Sequence, residues 1–103
     1  SDALALDAAL CKADSKTAPE TLVAACNVAL TRETATAIEK IETLRVRASA
    51  WRAKGERRRA LDDYDAALRL DPSQETVRAD RKALFHEIEM QGAMMPLKKP
   101  AQP

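Results

Sequence analysis

The chain has 103 residues, 17 of them basic and 16 acidic, with a formal net charge of +1. Only 2 residues are glycine and 3% are aromatic, so the composition favours an all-α fold and excludes a β-sandwich or barrel. The balanced charge does not indicate a nucleic acid or a membrane surface as a partner, and no apolar run approaches the roughly 20 residues of a membrane span.

Apolar residues recur at helical spacing in five segments. The predicted helices span residues 3–13, 17–30, 34–54, 56–70 and 73–91. Thr17, Thr34 and Asp71 are the predicted N-caps, the first and last of them within capping boxes. Gly55 is predicted to end the third helix in a left-handed conformation, and Gly92 to stop the fifth.

The periodicity also predicts which side chains are buried. The stripe of the third helix is Ile38, Ile41, Leu44, Ala48 and Trp51, and that of the fifth is Val77, Leu84, Phe85 and Ile88. Short connections predict that neighbouring helices pack antiparallel, within a single domain over residues 1–92. Residues 93–103 contain three prolines and no periodicity, and we expect a flexible tail that folding does not need.

Residues 41–74 resemble a tetratricopeptide repeat (TPR), the 34-residue helix–turn–helix unit. The resemblance lies mainly in the segment ALDDYDAALRLDP at residues 60–72, preceded by Gly55 at the turn. It implies two antiparallel helical hairpins, a degenerate first repeat over 3–40 and a second over 41–74. It also implies a capping helix over 73–91 and a right-handed array. Arg47 stands where the family has leucine.

Cys11 and Cys26 lie at equal distances from the predicted turn between the first two helices, which predicts a disulfide. Closing this loop should stabilise the fold by ~3 kcal/mol; the alternative is two buried reduced thiols. The chain is similar to small secreted bacterial TPR proteins with a cysteine in each helix of the first hairpin. A periplasmic or secreted location is therefore expected, with a cytoplasmic one as the alternative. The start at Ser1 fits signal-peptide removal, although artificial trimming would also produce it.

The TPR resemblance places Arg45, Ser49 and Arg52 on the face of the third helix that lines the concave groove. Two guanidinium groups and a hydroxyl at this spacing suit a carboxylate or an acidic peptide. Arg52 has Glu56 four residues later as a local partner, whereas Arg45 has Ser49 at that position and could pair only with Glu42, three residues earlier, in a weaker geometry. Ordinary solvated surface charge is the alternative interpretation. We therefore expect non-catalytic binding of a protein or peptide partner. Two repeats form a shallow groove, so binding of a short peptide should be weak unless the chain self-associates into a homo-oligomer or is part of a larger complex.

A second hypothesis is a small periplasmic protein that binds a ligand or Cu(I). His86, Met90, Met94 and Met95 offer imidazole and thioether ligands, and His86 and Met90 are one helical turn apart. The alternative is that Met90 packs the last turn while Met94 and Met95 belong to the tail. With one histidine and no catalytic motif, the sequence predicts neither an enzyme nor a cofactor. Nucleic-acid binding is not expected, since the net charge is only +1 and the three aromatic residues are all assigned to the core.

Overall fold

The computed structural model describes residues 8–93. These residues form four helices and no strand, so the all-α prediction is confirmed. The helices are α1 (Pro19–Ala29), α2 (Ala37–Ala53), α3 (Arg57–Leu70) and α4 (Glu75–Ala93). Ala8 and Ala9 are also helical, but the chain turns at Leu10, earlier than the predicted helix end at residue 13. Residues 3–7 of that helix, and the predicted tail beyond Ala93, lie outside the described part.

The N-caps of α1 and α2 differ from the predicted ones. Ala18 caps α1 with extended backbone and no side-chain hydrogen bond, and the helix begins at Pro19. Thr17 lies one residue before this cap, and its hydroxyl donates to the Asp14 carboxylate at 3.1 Å. The α2 cap is Thr36, two residues after the predicted Thr34. Thr36 forms a reciprocal capping box with Glu39, whose backbone and side chain both bond to it.

The two glycines behave differently. Gly55 has a φ of 80° after the end of α2, as predicted, and this left-handed conformation turns the chain into α3. Gly92 was predicted to stop the last helix, and this is wrong, since α4 continues through it to Ala93. One exposed glycine costs a helix only about 1 kcal/mol, which is too little to end α4 there.

The α3–α4 connection is organised by Asp71. Its carboxylate accepts hydrogen bonds from the backbone and hydroxyl of Ser73 and from the Gln74 side-chain amide. These bonds hold the pKa of Asp71 below its usual value, the Gln74 bond most strongly. The Gln74 amide thus donates, whereas the predicted capping box had it as an acceptor, and α4 begins only at Glu75.

Cross-helix contacts show that α2 and α3 run antiparallel. Arg47 on α2 pairs with Asp63 on α3. Trp51 lies one turn later on α2, and its ring centre is 4.9 Å from the guanidinium of Arg59, which lies one turn earlier on α3. The partners lie at equal sequence distances from Gly55. The predicted hairpin around this glycine therefore forms.

Helices α1 and α2 pack antiparallel by the same criterion. Asn27, near the end of α1, accepts from Arg47, while Glu20 at its start lies 3.8 Å from Lys54 at the end of α2. Each helix thus packs against the next one in the chain, as the short connections predict.

The core consists of two clusters. The first joins α2, α3 and α4 through Ile41, Leu44, Ala48, Ala60, Tyr64, Ala67, Val77 and Leu84. The second joins α1 to α2 through Leu22, Val23, Cys26, Val46 and Ala50. Trp51 packs against both. The three alanines of the first cluster are fully buried, which allows the helices to approach closely.

Two predicted core residues are exposed instead. Ile38 is 75% exposed because it lies in the first turn of α2, where the antiparallel register places it beyond the end of α3. Phe85 is 44% exposed because the neighbouring Leu84 takes the buried position on α4.

Candidate partner-binding site

Arg45 and Arg52 project from one face of α2, as the seven-residue spacing predicts. Helix α4 lies beside this face and brings two carboxylates to it. The Arg45 Nη2 atom is 3.7 Å from Asp80, and Arg52 Nη2 donates to Glu87. Arg52 therefore pairs across helices with Glu87 and not with the predicted local partner Glu56, which lies against Arg59 instead.

The charges on this face balance. Arg45 also donates to Glu42 at 3.0 Å, one turn earlier on α2. Arg57 approaches Glu87 from α3, with its Nε atom 3.6 Å from the carboxylate. The cluster thus contains three guanidinium groups and three carboxylates: Arg45, Arg52, Arg57, Glu42, Asp80 and Glu87.

Within residues 8–93, Arg45 has more N–H donors without an intramolecular acceptor than a fully paired guanidinium would have. Among the described residues its one hydrogen bond goes to Glu42, and its Nε atom is buried without an acceptor. The Asp80 contact, at 3.7 Å, is too long for a hydrogen bond. Since a guanidinium has five N–H donors, Arg45 can bind a further carboxylate.

Arg52 is fixed in a different environment, next to the buried Tyr64. Burial raises the pKa of the Tyr64 phenol, and the nearby Arg52 partly opposes this rise. Burial also lowers the pKa of Arg52, but contacts with Tyr64 and Glu87 outweigh it and leave the pKa above its ordinary value. At neutral pH the pair is therefore a cation beside a neutral phenol.

Ser49 is exposed on α2 between the two arginines. It lines a shallow pocket of about 360 Å³ between α2 and the loop before α1, together with Asp14 and Thr17. The structure therefore places the hydroxyl at the edge of the arginine face, on the side of α1.

The sequence reasoning missed a second arginine site. Arg47, the departure from the TPR pattern, donates from Nε and Nη2 to both carboxylate oxygens of Asp63, at 2.9 and 2.7 Å. Its Nη1 atom donates to Asn27 at 2.7 Å. The sequence did contain a signal for this pair. Residues 47 and 63 are equally far along the chain from the turn at Gly55, so an antiparallel hairpin places them opposite each other. Asp63 is buried, so the site links α1, α2 and α3 rather than forming a binding surface.

The Sγ atoms of Cys11 and Cys26 lie 2.08 Å apart, at disulfide-bonding distance. Cys26 is fully buried in the α1–α2 cluster, and Cys11 packs against that cluster. This agrees with the predicted pairing. A disulfide is compatible with an extracellular location.

The residues of the copper hypothesis are only partly described. His86 and Met90 are exposed one turn apart on α4, while Met94 and Met95 lie outside the described residues. Between residues 8 and 93 there is no group of three or more His, Cys, Asp or Glu side chains that could hold a metal ion. In the same range, no helix is both long and apolar enough to cross a membrane.

Comparisons with protein-family models, with curated proteins and with solved structures gave no match. The TPR resemblance therefore depends on the residues of this chain alone.

Proposed function

We propose that the chain is a non-catalytic protein-interaction module with a TPR-like, right-handed helical array. On this proposal it binds an acidic segment of a partner protein at the α2 face that carries Arg45, Ser49 and Arg52. The observation that carries the proposal is the unfilled hydrogen-bonding capacity of Arg45, whose side chain is 32% exposed.

The array is supported by the positions that carry the resemblance. Ala48 and Ala60 are fully buried where α2 and α3 pack, Gly55 turns the hairpin, and Tyr64 fills the space toward α4. These are the small, turn and aromatic positions of the repeat. An oxidising compartment, periplasmic or extracellular, is supported by the spacing of the two cysteines.

Binding at Arg45 would proceed by exchange of carboxylates. An incoming Asp or Glu side chain can accept two parallel hydrogen bonds from a guanidinium group. It would displace Asp80, which makes only a long contact, while Glu42 keeps its bond. Because the surrounding charges balance, we expect modest, salt-dependent affinity whose selectivity comes from geometry.

Two display libraries of short peptides test this proposal, one with Asp and Glu at the variable polar positions and the other with Asn and Gln. We expect enrichment only from the acidic library. Arg45→Gln should weaken the enriched peptides by about tenfold or more, as loss of a charged hydrogen-bond partner does. Asp80→Asn should strengthen binding, because it removes the competing carboxylate.

The control is Arg58→Gln on α3. Arg58 is exposed and forms no ion pair within the described part of the chain, so this variant changes net charge equally without touching the site. If Arg45→Gln binds as the unmodified chain does, or Arg58→Gln loses as much affinity, the proposed site is wrong.

A further inference from the structure

A second surface lies on the other side of α4 from Asp80 and Glu87. It is an open pocket of about 570 Å³ between α4 and the end of α3. This volume falls within the range of about 300–1,000 Å³ that is common for ligand pockets. Its apolar lining comes from Leu68, Pro72, Ala79 and Phe85. Phe85 is 44% exposed, so a large aromatic surface faces solvent here.

The rim of this pocket is basic. Arg78, Arg81 and Lys82 line it, all from the first half of α4. Arg81 is paired with Asp65 at 2.5 Å, and its guanidinium lies 5.9 Å from the Phe85 ring centre. These contacts hold the Arg81 side chain against one side of the pocket. Arg78 and Lys82 are exposed and form no ion pair among residues 8–93. Within this range, two cations therefore lie unpaired beside an apolar floor.

We infer that this α4 pocket docks an acidic amphipathic helix of a partner protein. A helix in a groove inserts apolar side chains spaced three or four residues apart. Here such an anchor would pack on Phe85 and Leu68, while flanking carboxylates of the partner would pair with Arg78 and Lys82. The surface is independent of the Arg45 face, because it uses other residues on the opposite side of α4.

Charge complementarity argues for an acidic partner rather than the C-terminal end of this chain or a symmetric pairing of two pockets. Residues 94–103 offer Met94, Met95 and Leu97 but also two lysines and no acidic residue, so their charge repeats that of the rim. A second copy docking symmetrically through the same pocket would likewise bring cation against cation. An acidic helix is the occupant that both the floor and the rim favour.

A display library of helical peptides with a constant leucine face tests the inference, its flanking positions varied among Glu, Gln and Lys. We expect glutamate to be enriched at the flanks. Fluorescence anisotropy should then show that Phe85→Ala and Lys82→Glu each weaken the enriched peptide by about tenfold or more. Arg58→Glu should leave its affinity unchanged, as the charge-matched control. Arg45→Gln should also leave it unchanged, which separates this site from the proposed function.

Three results would overturn the inference. The first is no enrichment of glutamate, or full affinity in Phe85→Ala. The second is tighter peptide binding when Met94, Met95 and Leu97 are replaced by serine, which would make the chain's own end the occupant. The third is self-association, seen by light scattering and lost in Phe85→Ala, which would make the occupant a second copy.

Discussion

Arg47 and Asp63 show how a single charged pair can organise three helices. Asp63 is buried, with 4% of its surface exposed, and both of its carboxylate oxygens accept from the Arg47 guanidinium. Asn27 takes a third bond from the same group. A buried ion pair need not stabilise a fold relative to apolar residues, but removing one partner leaves the other without compensation.

Asp63→Ala should therefore destabilise the fold by about 3 kcal/mol, because it leaves the Arg47 guanidinium without its carboxylate. The double variant Arg47→Leu, Asp63→Ala should recover much of this loss, since no unpaired charge remains. Urea unfolding followed by circular dichroism measures both. Asp62→Ala, at an exposed neighbouring position, is the control and should change stability by less than about 0.5 kcal/mol. Equal effects of Asp62→Ala and Asp63→Ala would contradict the assignment.

Tyr64 makes the stability of the fold depend on pH. Its ionisation can be followed without interference from other phenols, because the chain contains 1 tyrosine. Burial raises the pKa of this phenol in the folded state, while in the unfolded chain it should be about 10. The contribution of Tyr64 to stability is thus fully present below pH about 10. It is lost as the pH rises toward the folded-state value, because the unfolded chain ionises first.

A spectrophotometric titration of the phenolate should show Tyr64 ionising at higher pH in the native protein than in urea. Tyr64→Phe should abolish the phenolate signal and reduce the loss of stability above pH about 10. Arg52→Gln should raise the Tyr64 pKa further, because the guanidinium favours the phenolate. A native titration that coincides with the one in urea would mean that Tyr64 is not buried.

At the scale of helices, the most extensive packing occurs between α2 and α3. Ala48 and Ala60 are fully buried there, and Tyr64 lies beside them in the same cluster. Small side chains at such positions set the distance between two helix axes. The repeat-like segment and the observed core agree at this contact.

Ala60→Leu should destabilise the fold by about 1–3 kcal/mol, because the added atoms have no space between the helices. Ala83→Leu on the exposed side of α4 is the matched control, with the same substitution in a helix but no overpacking. Denaturant midpoints measure the difference. Similar midpoints for the two variants would place Ala60 outside the close contact.

The helices could be predicted because their signals are local. Periodicity and the left-handed Gly55 each depend on neighbours within one or two turns, and the small residues of the α2–α3 hairpin meet across a short connection. The N-caps were harder to predict, because several threonines stand near each helix start. Thr34 and Thr36 are both suitable caps by residue type, and Thr36 is the one that caps α2. Thr17 bonds to Asp14, and α1 begins after Ala18. Phe85 shows the limit of periodicity, because a stripe of apolar residues does not reveal how much of it another helix covers.

At the scale of the whole molecule, the candidate site depends on contacts between helices that are distant in sequence. Asp80 and Glu87 reach Arg45 and Arg52 across 35 residues. Their matching seven-residue spacing was a signal, but reading it required knowing that α4 lies beside α2. The row of arginines was therefore predictable, whereas its neutralisation by α4 was not. That neutralisation makes Arg45, rather than the pair, the centre of the proposed function.

The most direct test of this function is to map by heteronuclear NMR where the acidic peptides enriched in the display experiment bind. We expect backbone amide shifts to change along α2 around Arg45 and on the facing part of α4 around Asp80, and we expect Arg45→Gln to suppress these changes. Shift changes confined to other surfaces, or unaltered in Arg45→Gln, would contradict it.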